Sequence, residues 1–332
     1  MLSFVMDMLQ CPHCHGSLRW VITAQSGDRI EEATVQCQTC DASYPVREGI
    51  GLFLTPDLPR NDLWEQVESG LTAYIREQPD VERRLMNVPL ETLGPADLHF
   101  RAMVLEDRGE FAEAKAATKL AHPGLYTPEY RACHESQRAY VIERLQGVTT
   151  PIVDLASGRG DLVELLARRV TAPIIATDFS PRILRRDQRW LEYCGLYNRV
   201  SLLAFDARRT PFKDGTITTL TTNLGLPNIE EPDRLLSELR RIVSGSLFAI
   251  SMLYPENDDA NATAIRAAKL SAMLFEREAL AAFSTAGWHV ELANRCSGHA
   301  RPTPQGVVIE GIGIDGLPVA ETTLEWTTLI AH

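Results

Sequence analysis

The sequence predicts an α/β protein in two parts: a small amino-terminal metal-binding module, and a larger domain whose parallel sheet is covered on both faces by helices. Three observations predict this. Two Cys-x-x-Cys pairs, Cys11-Pro-His-Cys14 and Cys37-Gln-Thr-Cys40, stand 22 residues apart. Residues 151–178 read as strand, small-residue turn, helix and strand, with an acid closing each strand. Downstream, apolar runs of strand length alternate with amphipathic stretches of helical spacing.

At 332 residues, 45% of them hydrophobic, the chain can build one sizeable core and a smaller module. We delimit residues 1–57 as the metal-binding domain, 58–126 as a helical linker or cap, and 127–332 as the α/β domain. The formal net charge of −11 opposes binding by broad neutralisation of a phosphate backbone, so a nucleic acid partner is not expected. The start MLSFVMDMLQ has no basic n-region and carries Asp7, and no apolar run approaches about twenty residues, so neither secretion nor a membrane anchor is signalled. Cys133, Cys194 and Cys296 stand apart from the paired cysteines, a usage that suits a reducing compartment and predicts a cytoplasmic protein. None of these features specifies an oligomeric state.

Each cysteine pair can put two thiolates on one side of a tight turn, and two such turns complete a tetrahedron. Zinc favours four thiolates at structural sites because the closed shell leaves no position for substrate or water. Cys11, Cys14, Cys37 and Cys40 are therefore the predicted zinc ligands; a redox dithiol would not need the second pair. His13 and His15 read as exposed knuckle residues. The surrounding residues are Leu9-Gln-Cys-Pro-His-Cys-His-Gly-Ser-Leu18, Val35-Gln-Cys-Gln-Thr-Cys40 and Tyr44-Pro-Val-Arg-Glu-Gly-Ile-Gly-Leu-Phe-Leu54. Together they resemble the small zinc-binding activator subunit of eukaryotic and archaeal methyltransferases and its bacterial relatives. The resemblance implies a zinc-ribbon-like module that stabilises or completes an attached methyltransferase.

Thr55-Pro-Asp-Leu-Pro59 is a proline-punctuated linker, and residues 62–78 and 81–86 carry mixed apolar and charged residues at helical spacing. The run 95–120 predicts one or two further helices, with Leu98, Met103, Val104 and Leu105 available to pack and 106–113 largely a solvated face. This much helix ahead of the sheet suits a cap over a ligand site and an inert connector equally. Thr127 followed by Pro128 is a cap signal opening a helix over 127–145. Tyr130, His134, Gln137 and Val141 recur at i, i+4, i+7 and i+11, a stripe that reaches the strand ends if this helix packs antiparallel to the first strand.

Residues 152–155 form that first strand, an apolar run expected to be buried on both faces. After the turn Ala156-Ser157-Gly158-Arg159-Gly160, Leu162, Val163, Leu165, Leu166 and Val170 recur at helical spacing until Pro173, and 174–177 is the second strand. Ser180 and Pro181 open the next helix. Strands follow at 200–205, 217–222 and 247–253, with a helix at 232–243 closed by Gly245 and helices at 262–275 and 277–284. A sixth strand follows Gly287. Asp315-Gly316, between 307–314 and 317–320, reads as a hairpin turn, and 323–331 as a final antiparallel strand.

Asp154-Leu-Ala-Ser-Gly-Arg-Gly160 resembles the first motif of the class I S-adenosylmethionine-dependent methyltransferases. Asp178 closes the second strand as that family's ribose-binding acid does. Asp206-Ala207 with Pro211-Phe212-Lys-Asp214 resembles its adenine-side loop, and residues 235–250 its fourth-motif helix and fifth strand. Across residues 129–332 the resemblance implies a Rossmann-like seven-stranded sheet flanked by helices, with S-adenosylmethionine bound by Asp154, Ala156, Ser157, Gly158, Gly160, Asp178, Phe179, Asp206, Ala207 and Asn223. Physical chemistry supports it: glycines let the backbone approach a ligand, and acids suit ammonium and sulfonium charges where a polyphosphate would call for lysine or arginine. The chain departs from the family pattern at Ala156, where the first glycine is usual. Thr222-Asn-Leu-Gly-Leu-Pro-Asn228 also lacks the signature of enzymes that methylate exocyclic base nitrogens.

The leading expectation is methyl transfer to a small molecule. His134 and Tyr130 are the catalytic candidates, followed by Tyr254 and His289, should the acceptor need a general base. An RNA or protein acceptor recognised by the zinc module, a dinucleotide-dependent oxidoreductase and a non-catalytic binding protein are the alternatives. The charge disfavours the first, and the missing closing Gly/Ala at Val163 the second.

Overall fold

The computed structural model describes residues 1–58, 71, 74, 75 and 77–332, so the helix expected over 62–78 lies largely outside the described residues. The amino-terminal module contributes β1 (Leu18–Ser26), β2 (Arg29–Cys37), β3 (Ser43–Arg47) and β4 (Ile50–Leu52). These pair in sequence as an antiparallel meander. Val35, Val46 and Phe53 are fully buried beneath it, and Tyr44 stacks on Phe53 with ring centroids 5.4 Å apart.

Helices α1 (Pro79–Met86), α2 (Pro95–Asp107) and α3 (Phe111–Leu125) follow, then α4 (Pro128–Arg144). Thr127 caps α4 as expected, its hydroxyl accepting from the Tyr130 amide at 3.1 Å. The larger domain then runs β5 (Ile152–Asp154), α5 (Asp161–Arg169), β6 (Ile174–Asp178), α6 (Pro181–Tyr193), β7 (Val200–Ala204), β8 (Ile217–Asn223), α7 (Pro232–Ile242) and β9 (Val243–Leu253). It closes with α8 (Asp259–Ala267), α9 (Ser271–Leu274), α10 (Glu276–Thr285), β10 (Val290–Ala300) and β11 (Thr322–Ala331).

Its seven strands are ordered β7-β6-β5-β8-β9-β11-β10, with β11 antiparallel to both neighbours. Strand order reverses between β5 and β8, which opens a crevice at the carboxyl ends of the parallel strands. Alternation along the strands separates two apolar layers. Val153, Ile175 and Leu203 face Leu235, Leu239, Phe283 and the amino-terminal Val5; Ile152, Ile174 and Leu202 face Val141, Leu166 and Ile183.

The sheet does not stop at the larger domain. β4 pairs in parallel with β7, Ile50 opposite Leu202 and Leu52 opposite Ala204, making one sheet of eleven strands among the described residues. Gly51 permits the junction, because a Cβ there would meet the Leu203 side chain at 2.6 Å.

Three expectations are corrected. The hairpin around Asp315-Gly316 is absent: the turn forms, but 307–314 and 317–320 are not strands. Their amides are spent elsewhere. Asp97, fully buried on α2, accepts from the Val307, Val308 and Ile309 amides at 2.9, 3.1 and 2.9 Å, while Asn261 accepts from Val319 and Ala320. Residues 106–113 are only partly a solvated face, since the Glu106 side chain is 13% exposed and ion-paired and Phe111 is buried. Gly245 closes no helix; it lies within β9, where a Cβ would meet the Thr218 carbonyl oxygen at 2.1 Å. Among the described residues no helix is long and apolar enough to cross a membrane.

Candidate functional site

The turn after β5 is built by short-range hydrogen bonds. The Ser157 hydroxyl donates to the Asp154 carbonyl and accepts from the Thr177 amide, both at 3.1 Å, which ties β5 to β6. Asp178 braces the turn, one carboxylate oxygen accepting from the Gly158 amide and the other from the Ser180 amide, each at 3.0 Å. Ala156, Gly158 and Gly160 all have left-handed backbone, with φ of 50°, 54° and 73°. For Ala156 this is strained. Its methyl fits because Gly225 faces it: a Cβ on Gly225 would lie 2.8 Å from that of Ala156.

Above this turn lies a cavity of about 940 Å³. Of the predicted cofactor residues, Ala156, Ser157, Gly158, Asp178, Phe179, Asp206, Ala207 and Asn223 line it. Asp154 and Gly160 are not among its lining residues. Gly160 caps α5 and packs on Asp187. Asp154 is 1% exposed, accepts from the Thr221 hydroxyl at 2.6 Å and keeps its second carboxylate oxygen buried without a partner. Burial, reinforced by the neighbouring Asp178, pushes its carboxyl up to about 7. Asp206 is held by Arg208, whose Nε and Nη2 donate at 3.0 and 2.8 Å. Its carboxylate thereby orients the loop after β7.

The helices before the sheet close over this cavity. Glu106 on α2 binds Arg159 of the turn at 2.5 Å and Arg186 of α6 at 2.7 Å, and Arg182 reaches Asp107 at 3.2 Å. Burial raises the Glu106 pKa, yet the two guanidiniums outweigh it and hold the carboxyl below its ordinary range. His99 of α2 also lines the cavity; burial, with Arg159 beside it, pushes its pKa down to about 3. Residues 313–317 supply another wall, held where the Ile314 amide donates to the Thr303 hydroxyl at 2.8 Å, and Asp97 anchors the preceding residues 307–309. Glu106, Asp97 and the 313–317 wall were not among the predicted site residues. Arg159 stood within the predicted turn, but nothing in the sequence names Glu106 as its partner.

A second cavity of about 440 Å³ adjoins the first, and Tyr126, Asp161, Asn223 and Asp315 line both. His134, Tyr130 and Tyr254 line the second, so the polar stripe of α4 does reach the strand ends. His134 Nε2 lies 3.0 Å from Asn223 Oδ1, and its ring stacks on Trp326 at 5.2 Å. Burial lowers its pKa, with Arg138 adding to the effect, so the imidazole is neutral near pH 7. The Tyr130 hydroxyl donates to the Gly316 carbonyl at 3.3 Å, and burial raises its pKa well above the usual phenol value. His289 lines neither cavity and exchanges backbone hydrogen bonds with His332.

The four cysteines meet as their spacing predicts. All four Sγ atoms lie within 4.8 Å of one another, a donor set suited to one tetrahedral metal ion, and Cys11 and Cys14 approach Cys40 and Cys37 at 3.7 and 3.5 Å. The cluster lines neither cavity.

This arrangement defines a methyltransferase domain preceded by a small four-cysteine module. Residues 152–245 match the family described as methyltransferase domain, and residues 3–49 the family described as Trm112p-like protein. Among curated proteins, the ubiquinone/menaquinone biosynthesis C-methyltransferase UbiE of Escherichia coli O1:K1 is 28% identical over 108 residues, which cover 31% of this chain and 43% of that protein. Its namesake in Salmonella arizonae is 29% identical over the same length. The chain thus spans less than half the length of the curated relatives it matches. Solved structures that resemble it include the YcgJ protein of Bacillus subtilis, with TM-score 0.48 and 13% identity, covering 60% of this chain and 98% of that one. Another is the geranyl diphosphate C-methyltransferase of Streptomyces coelicolor A3(2), with TM-score 0.45 and 15% identity, covering 61% and 77%.

Proposed function

We propose that the chain transfers a methyl group from S-adenosylmethionine to a small-molecule acceptor, with the cofactor in the larger cavity and the acceptor in the smaller. The observation that carries this reading is the continuity of the two cavities at Asn223, with the glycine turn, Asp178 and Asp206 on one side and His134 on the other. The donor set fits the cofactor. The lining guanidiniums of Arg159 and Arg186 are committed to Glu106 and that of Arg208 to Asp206, while Asp161, Asp178 and Asp315 also line the space a cationic nucleoside would fill, as does Lys115.

When bound, S-adenosylmethionine supplies a methyl group on a sulfonium centre open to in-line displacement. Asp178 would accept from ribose hydroxyls, while its hold on Gly158 keeps the turn in place. Asp154 shapes the turn from beneath. The α2 helix and the 313–317 wall exclude water. If His134 donates from Nε2 to Asn223 Oδ1, its Nδ1 is free to take a proton from the acceptor. Cys11, Cys14, Cys37 and Cys40 would hold one structural zinc ion, and residues 1–57 form the module built on it.

Calorimetric titration with S-adenosylmethionine and with NAD tests the cofactor. We expect S-adenosylmethionine to bind and Asp178→Ala to weaken it by about tenfold or more while the fold is retained; binding of NAD alone would sink the assignment.

A further inference from the structure

The smaller cavity carries a charge pattern that methyl transfer itself does not need. Arg131 and Arg138 both line it from α4, at i and i+7, one on each side of His134. Both Nε atoms are buried without a hydrogen-bond partner, and among the described residues no ion pair forms to either guanidinium. Other arginines on these walls are paired: Arg159 and Arg186 hold Glu106, and Arg208 holds Asp206. A half-buried guanidinium with no carboxylate in ion-pair contact loses hydration that no direct partner replaces. Two facing one cavity form a receptor for an oxyanion.

The acids are arranged in keeping with this. Asp161 and Asp315 line both cavities and so stand at the junction between them. Glu135 also lines the smaller cavity, but it is exposed and forms no ion pair with either arginine. Much of the remaining wall is apolar and aromatic, with Asn228 and Asn261 among its polar members. Tyr126 stacks on Tyr130 at 5.0 Å, and Tyr254, Ile265 and Leu274 are buried around them. Burial pushes the Tyr126 and Tyr254 hydroxyls up to about 12, so both stay protonated and uncharged.

The geometry points to a methyl acceptor that carries an oxyanion, a carboxylate or a phosphate, on an apolar ring-sized body. Arg131 and Arg138 hold the oxyanion, the three tyrosines receive the body, and the reacting atom is directed toward Asn223 and the cofactor cavity. This rests on the reading of the smaller cavity as the acceptor site.

The test is calorimetry on the full chain saturated with S-adenosylhomocysteine, using benzoate, phenyl phosphate and benzamide as probes. At least one anion should bind, with benzamide at least about tenfold weaker. Whichever anion is favoured tells carboxylate from phosphate. Arg131→Gln and Arg138→Gln should each weaken that anion by about tenfold, with S-adenosylhomocysteine affinity within about twofold and Tm not lowered. Benzamide binding as tightly as the anions, no binding of any probe, or unchanged affinity in both variants would overturn the oxyanion assignment alone. Failure of S-adenosylhomocysteine to bind the wild type would overturn the cofactor reading and this one with it.

Discussion

At the scale of single residues, two buried groups make opposite demands on pH. Asp154 has a carboxyl pushed up to about 7 by burial. Between about pH 4 and about 7 the unfolded chain has released this proton while the folded chain keeps it, so rising pH costs stability across that window and nothing further above it. Asp154→Asn removes the titration and leaves an amide oxygen to accept from Thr221. The Tm difference between variant and wild type should grow from pH 4 to 7 and then level off; a difference flat with pH would show that the carboxyl does not titrate there. His134 is lowered instead, again by burial first, and remains neutral at pH values where an exposed histidine protonates. If it is the general base, the acid limb of kcat lies below about 6.5, and His134→Gln lowers kcat by about 10²-fold or more with little change in cofactor KM. An unchanged kcat would remove His134 from the chemistry. Ala156 belongs to this scale too. The glycine pattern marked it as a departure, but its fit could not be read from the chain because Gly225, the residue that makes room for it, lies 69 positions away.

At the scale of elements, the walls of the site depend on side chains that replace a hydrogen-bond ladder. Asp97 gathers three consecutive amides of the 301–320 segment, and Ile309 and Ile314 pack into the apolar core of α2 and α3. Asp97→Ala would leave those buried amides without an acceptor, at a cost on the order of 3 kcal/mol. Denaturant unfolding should register that loss, proteolysis should cut first within residues 303–317, and Asp97→Asn should fall between. Equal stability and equal protease resistance in Asp97→Ala would show that the segment is held by packing alone. The same contacts explain what the sequence disclosed and what it hid. Strands β5 to β9 were legible because a buried parallel strand is an uninterrupted apolar run between turn residues, and α4 because Thr127-Pro128 is a local cap signal. The hairpin at Asp315-Gly316 was misread because Val307-Val308-Ile309 has strand composition, while the acceptor that diverts its amides lies on a helix 210 residues earlier. Glu106 was hidden for a similar reason: a charge on a helix face reads as solvated until the arginines opposite it are known.

At the scale of the whole molecule, the amino-terminal module extends the sheet and supports the larger cavity from outside. β4 covers the edge that β7 would otherwise expose. The stretch before the first knuckle grips the loop after β7: the Gln10 amide donates to the Pro211 carbonyl at 2.7 Å, and the Lys213 amide to the Met8 carbonyl at 2.9 Å. Phe212, fully buried between them, packs edge-on against Phe205, which lines the cavity beside Asp206. The cysteine cluster begins one residue beyond Gln10, so a metal ion there would fix the backbone that fixes this loop. The module was legible as a metal knuckle from its spacing alone, but its coupling to Asp206 rests on contacts about 200 residues apart in sequence. Metal analysis should therefore return about one zinc per chain, and chelation should lower both Tm and cofactor affinity, the latter by about tenfold or more. Cys14→Ser, at the exposed ligand, should reproduce the effect in part without a chelator. A metal-free chain that keeps its Tm and its affinity would show that the apolar contacts of Val5, Leu9 and Phe212 are enough to hold the loop, and that the cysteine cluster plays no part in supporting the larger cavity.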